Sequence, residues 1–415
     1  MRKYFVIIFV FFIFSCSVFD SKTIMIWTDK PEFALYAQAF NASQAEYKAE
    51  VRYFEFPSQQ LLNSTERPDI VAASWLKSAS TRTFFAPLDA LFTQKIVSED
   101  SFYPKLLEPG VIEGEQYLLP VSFNVPAMVF AQSNTVSSNF TINVDEIKEK
   151  GKAYNRMMRG DYTRMGFSPD WNDDFLFISA VLHNAQFREG TEGTLQSAPL
   201  MWNEDAMRSA LDFNKTWILE ANSGARAVDD FSFKYFFDTP SKRIAQGRVL
   251  FSYMNSAEFF TLDSEVRSIL DFRWLSENNS IPLIEGSVYY GIYSETKANN
   301  GTVAFTQWFF QPETQRRILE KSRDLQLNET GFGIAGGFSS LRNVTEDIFP
   351  RFYSSLLGHI PPDAFLAPPA ILPYDWPQLK ERVILPFMRE YIRAENSSDI
   401  RPLDKRVSDW YRINK

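Results

Sequence analysis

The run Thr23-Ile24-Met25-Ile26-Trp27, turned by Thr28-Asp29-Lys30-Pro31, decides the class of fold. Five apolar or β-branched residues closed by a turn read as a buried strand. Beyond the turn, Phe33, Tyr36, Ala37 and Phe40 recur at i, i+3, i+4 and i+7, which is one face of a helix, and the pattern stops at Asn41-Ala42-Ser43. Val51 to Phe56 supplies a second strand. After Arg67-Pro68, the run Asp69-Ile70-Val71-Ala72-Ala73 supplies a third, and Ser74 is placed to cap a helix that begins at Trp75. Strands alternating with helices predict an α/β fold built on a parallel sheet. Ligands of such sheets sit beyond the carboxyl ends of the strands, so Trp27, Thr28, Asp29, Ser74 and Trp75 are expected together at one edge. The plainer reading of each Trp is packing.

Working outward, a chain of 415 residues with 45% hydrophobic and 23% charged residues is globular and too long for one core, so two domains are expected. Extended segments near 130–135, 281–288 and 331–338 are the expected crossovers between them. Asn203 precedes a helical pattern through Ala206, Leu211, Phe213, Trp217 and Ile218. Gln311-Pro312-Glu313 opens another, with proline near the first turn. Both read as scaffold.

At the amino end, Arg2 and Lys3 run into the ten apolar residues Phe5 to Phe14, half the roughly 20 that a spanning helix needs. The segment reads as the apolar region of an export signal, with residues 1–15 removed and Cys16 the lipid-bearing first residue of the mature protein. Phe14 stands where a smaller residue is usual before such a cysteine, and the alternative is a plain secretory signal with an incidental Cys16. Without residues 1–15 the chain carries 41 basic and 51 acidic residues, a formal charge of −10. No Lys/Arg cluster interleaves with aromatics, which argues against nucleic acid as a partner. Cys16 is the sole cysteine, so no disulfide is expected within the mature chain. His183 and His359 lie far apart without ligand spacing, so neither a metal nor another cofactor is expected, and both read as structural. No G-x-S-x-G elbow occurs, and the chain is not expected to be an enzyme.

The order of segments resembles the bacterial extracellular solute-binding proteins of the maltose-binding type, receptors of ABC importers. The resemblance covers nearly the whole mature chain. It is carried by Ile26-Trp27-Thr28-Asp29, Arg67-Pro68-Asp69-Ile70-Val71, Pro87-Leu88-Asp89, Gly114-Glu115-Gln116-Tyr117-Leu118-Leu119-Pro120-Val121-Ser122, Asn143-Val144-Asp145-Glu146-Ile147, Ile244 to Phe251 and Ala304 to Gln315. Glu115 and Leu118 depart from the family's hairpin pattern, and Gly333-Ile334-Ala335-Gly336-Gly337 departs from its hinge sequence. The resemblance implies a two-lobe periplasmic-binding-protein fold of type II, with discontinuous lobes, a hinge and a solute cleft between them. The first lobe is expected to take 16–130 plus 283–335, and the second 131–282 plus 336–415. It also implies a permease as partner, a monomeric receptor, and a place on the periplasmic side of the cell envelope, tethered through Cys16.

Sugars present flat apolar faces rimmed by hydroxyls, so their receptors need rings for stacking and polar side chains for the rim. In the first lobe the expected site residues are Trp27, Asp29, Ser74, Trp75 and Asn124. In the second they are Trp171, Asn172, Asp173, Asp174 and Asn255. The return segment Gly286-Ser287-Val288-Tyr289-Tyr290-Gly291 adds Ser287 with Tyr289 or Tyr290, which face opposite ways if extended. Solvated loop charge or a helix cap is the plainer reading of Asp173 and Asp174. A carbohydrate or polyol is the expected solute, and a glycerol phosphodiester is the runner-up, for which Arg164 and Arg342 are the candidate anion partners. A lipid-anchored glycan hydrolase and a surface adhesion lipoprotein are the competing classes.

Overall fold

The computed structural model describes residues 21–134, 136–190 and 200–414. The export signal and Cys16 lie outside them. Twelve strands carry the architecture: β1 (Thr23–Thr28), β2 (Lys48–Tyr53), β3 (Ile70–Ala73), β4 (Leu119–Phe123), β5 (Pro126–Ala131), β6 (Thr141–Ile142), β7 (Arg156–Met158), β8 (Asp161–Arg164), β9 (Ser252–Asn255), β10 (Leu270–Leu275), β11 (Val288–Ile292) and β12 (Phe338–Ser339). The first sheet runs β12-β4-β11-β3-β1-β2 and the second β9-β5-β10-β6, so the chain builds two α/β lobes.

β1 pairs in parallel with β2 and β3, as the alternation of strand and helix implies. The sheet is nevertheless mixed, because β11 returns antiparallel to β3 and β4 lies antiparallel to β11. Helix α1 (Phe33–Ser43) buries Phe33, Tyr36, Ala37 and Phe40, the four periodic positions, against the first sheet. The second strand ends at Tyr53 instead of Phe56; Phe54 N–H still donates to the Thr28 carbonyl (2.9 Å), and its ring lies edge-on to Trp27 at 4.8 Å. No helix starts at Trp75. Residue 75 takes a left-handed φ of 66°, and the short helix that follows runs over Ala79–Arg82.

The chain passes between the sheets more than once: β4, ending at Phe123, lies in the first sheet, β5, starting at Pro126, lies in the second, and β12 (Phe338–Ser339) lies in the first. Asn124, between β4 and β5, binds three distant segments together. Its backbone carbonyl accepts from Ile284 N–H (2.8 Å), its Nδ2 donates to the Gly336 carbonyl (2.9 Å), and its Oδ1 accepts from Ser256 Oγ (2.6 Å). Behind this knot the lobes share an aromatic column in which Phe260 stacks on Phe332 at 4.8 Å and Trp274 meets Phe338 edge-on at 6.0 Å.

Candidate interlobe site

The polar groups at the hinge surround a cavity of about 40 Å³, whose walls include Lys30, Ser122, Asn124, Glu285, Ser287 and Gly336. That space holds about one or two waters. Ser287 Oγ in its wall, and Asp29 Oδ1 next to the wall residue Lys30, are buried without a hydrogen-bond partner. A buried unpaired acceptor or hydroxyl costs stability unless something supplies the missing bond, which marks this floor as a place where a polar ligand is gained cheaply.

On the first-lobe side, Ser74 N–H donates to Asp29 Oδ2 (3.2 Å), and Lys30 Nζ lies 3.7 Å from the same oxygen. Ser74 Oγ donates to the Gly286 carbonyl (2.8 Å). Gly286 itself has a φ of 86°, and a Cβ there would come within 3.0 Å of the Trp75 ring. Glycine is required twice over at this residue, by its backbone angle and by the half-buried indole laid across it. Asp29, Ser74, Trp75 and Ser287 therefore converge on one lip of the cleft.

The other expected aromatics do not reach it. Trp27 is fully buried between Leu61, Val71, Ala73, Leu76 and Tyr289, because its strand position points it into the layer beneath the sheet. Tyr289 lies in that same layer with its hydroxyl donating to Leu106 O (2.9 Å), while Tyr290 faces the opposite layer and shares a 2.6 Å hydrogen bond with Thr306. The two tyrosines do alternate, but both faces of this sheet are covered, so neither ring is free to stack. Trp171 is stacked on Phe231 (5.7 Å, 16°) and edge-on to Phe236 (4.8 Å) within the second lobe. Asn255 is spent as a helix cap, accepting from Glu258 N–H (3.0 Å) in a reciprocal box with the Glu258 carboxylate, and Asn172 caps α2 (Asp173–Leu182) through Phe175 N–H (2.9 Å). Asn124 is committed to the hinge knot. Neither Arg164, over the Tyr154 ring, nor Arg342, paired with Asp363, lines the cavity.

The second-lobe side is held by ion pairs. Lys380 pairs with Glu285 and, at 2.9 Å, with Asp174. Burial works against the Lys380 ammonium, but the Glu285 and Asp174 carboxylates outweigh it and hold its pKa above the ordinary lysine value. Asp173 pairs with Arg389. Across the cleft, Glu189 of the second lobe accepts from Ala79 N–H of the first at 2.9 Å. Partial burial pushes the Glu189 carboxyl upward, and the Ala79 N–H opposes it. Lys30, Glu189, Glu285 and Lys380 escape a reading of the sequence. Glu285 alone carries a local signal, since it adjoins the Gly286-Ser287 turn.

A larger cavity, about 520 Å³, lies beside the hinge strand in the second lobe, lined by Phe177, Val181, Leu182, Phe187, Leu283 and Leu372. Its interior is aliphatic and aromatic, and Asn184, Gln186 and Arg188 stand exposed at its rim. Its one deeply buried charged group, Glu285, is already paired with Lys380, whereas the interlobe cavity holds a buried hydroxyl with no partner, so the interlobe cavity is the better candidate for a hydroxyl-rich ligand. Among the described residues, no group of three or more His, Cys, Asp or Glu side chains is arranged to hold a metal.

The chain matches no family model, and no curated protein is similar to it in sequence. Its fold is shared with solved structures. The sugar-binding protein MalE of Xanthomonas citri superposes with a TM-score of 0.66 at 13% identity, over 95% of this chain and 100% of that one. The cyclic alpha-maltosyl-1,6-maltose binding protein of Arthrobacter globiformis gives 0.60 at 14% identity, over 93% and 97%. An ABC transporter solute-binding protein of Thermotoga lettingae, bound with α-D-tagatose, gives 0.59 at 14% identity, over 94% and 99%. These likenesses establish the two-lobed, hinged α/β fold over nearly the whole chain.

Proposed function

We propose that the chain is a solute-binding protein of an ABC importer that takes a carbohydrate or related polyol between its lobes and hands it to a membrane permease. The observation that carries this reading is the cleft floor, where Asp29 Oδ1 and Ser287 Oγ are buried without partners beside a half-buried indole, Trp75. One ring with hydroxyl-seeking oxygens is the pairing that a sugar demands. The ligands of the structural neighbours, cyclic alpha-maltosyl-1,6-maltose and α-D-tagatose, agree with it. A solute larger than about two waters enters only when the lobes part, so the Ala79–Glu189 contact opens on the way in. The site acts by binding, and no reacting group is proposed.

In this reading Cys16 carries a lipid that holds the receptor at the periplasmic side of the envelope, near its permease, and one copy suffices for binding. A glycerol phosphodiester is less favoured, because the cleft cations Lys30 and Lys380 already face the carboxylates of Asp29, Glu285 and Asp174. A thermal-shift screen with mono- and oligosaccharides, polyols and glycerol phosphodiesters tests the proposal. A ligand at 100 times its dissociation constant adds about 2.7 kcal/mol of stability, so a saccharide or polyol is expected to raise the midpoint visibly. A response confined to phosphodiesters reassigns the solute, and a flat screen removes the transport reading.

A further inference from the structure

The second lobe carries a surface that the cleft does not use. Strands β7 and β8 form a hairpin that projects from the lobe, closed at its tip by Arg159 (φ 54°) and Gly160 (φ 88°). Residues 156–161, Arg-Met-Met-Arg-Gly-Asp, are all exposed, with Met157 at 56% and Met158 at 64%. Helix α3 (Ala225–Tyr235) packs beside β8, where Lys234 pairs with Asp161 at 2.8 Å, and presents Phe233 at 90% exposure. Phe237, just past the helix, is 81% exposed. Arg248 joins the two elements, with its guanidinium over the Tyr235 ring at 4.6 Å.

Two methionines and two phenylalanines in water are costly, and exposed apolar groups gathered together mark a contact surface. Charge identifies what they touch. Between Lys150 and Arg164 there are five basic residues, Lys150, Lys152, Arg156, Arg159 and Arg164, against Asp161 alone, in a chain whose formal net charge is −8. Lys234 occupies that single carboxylate, and no ion pair joins Arg156, Arg159 or Arg164 to an acid among the described residues. Guanidinium groups bind phosphate oxygens in pairs, and apolar side chains set between them have the form of a segment that enters the headgroup layer of a bilayer. The proposed lipid on Cys16 independently brings the mature chain to a membrane.

We infer that the 156–164 hairpin, with Phe233 and Phe237, docks the second lobe onto an anionic phospholipid surface. Met157, Met158 and the two phenylalanines enter the interface while Arg156, Arg159 and Arg164 pair with lipid phosphates. The solute cleft plays no part in this contact, so the inference stands or falls apart from the transport reading.

The test uses the full chain with Cys16→Ser, so that Met158→Cys bears the only thiol, labelled with a polarity-sensitive fluorophore. The label sits on the hairpin and reports the polarity around it alone. In vesicles of mixed phosphatidylglycerol and phosphatidylcholine the emission is expected to shift to the blue. That shift should disappear in high salt and in the Arg156→Gln, Arg159→Gln, Arg164→Gln variant, and should be absent with phosphatidylcholine alone. Emission identical to that in buffer with both vesicle types overturns the inference, as does an equal shift in both. A blue shift that grows with protein concentration without vesicles assigns the surface to a second copy of the chain, and overturns it too.

Discussion

The two walls of the cleft are built by different means. The first-lobe wall is shaped by backbone, with a left-handed Trp75, a glycine at 286 that alone permits the indole to lie where it does, and Ser74 bonded to both Asp29 and Gly286. The second-lobe wall is shaped by charge, with Lys380 between Glu285 and Asp174, and Asp173 on Arg389. A wall set by backbone angles presents fixed groups to a ligand, whereas one set by ion pairs holds only while each buried charge keeps its partner. In the function proposed above the first wall supplies recognition, and the Ala79–Glu189 contact supplies closure.

That division is most exposed to test at Lys380. Glu285 is only 8% exposed, so Lys380→Met leaves a buried carboxylate unpaired, and the expected loss is about 3 kcal/mol of unfolding free energy in denaturant titration. Adding Glu285→Gln should restore most of it; a double variant as weak as the single one would mean that packing, not charge, holds this wall. Trp75→Ala comes next. It should weaken solute binding by roughly 100-fold, about 2.7 kcal/mol, with the thermal midpoint almost unchanged because the ring is only half-buried.

Lys77 sharpens the contrast from the first-lobe side. Its ammonium lies over the Tyr289 ring at 4.6 Å with no ion pair among the described residues, and burial lowers its pKa to about 8. The folded chain thus holds this proton less firmly than the unfolded chain. The charged form costs stability below about pH 8, and the cost fades as pH rises toward the ordinary lysine value of 10.5. Lys77→Met should raise the midpoint at pH 7 and give a shrinking gain toward pH 10.5, which melting curves across that range will show. The smallest effect is expected at the solvent edge, where Asp173→Asn breaks a pair whose Arg389 is 54% exposed and should cost under about 1 kcal/mol.

Much of the scaffold is legible in the residues. The helix at Phe33, the helix start after Asn203, and the strand runs at Thr23 and Ile70 depend on neighbours close in sequence, and local spacing records them, whereas Asn172 and Asn255, read as ligand-binding, prove to be caps. The cleft is less legible for the same reason. Trp27, at the end of β1, and Trp75, just past β3, stand in similar local company, yet one is sealed under Leu61 and Leu76 and the other lies across Gly286, a residue more than 200 positions away. Tyr289 and Tyr290 alternate as an extended chain must, but alternation does not tell how many faces of a sheet are covered. Lys380 meets Glu285 and Asp174 only through the closed fold, and no spacing rule joins three positions so far apart.

The most direct test of the central claim is calorimetric titration of the saccharide or polyol that best stabilises the protein, against the natural chain and Trp75→Ala in parallel. Saturable one-to-one binding that is lost or weakened about 100-fold in the variant is the expected result. Binding of equal strength in both, or no saccharide or polyol bound by either, contradicts the assignment of the interlobe cleft as a carbohydrate site.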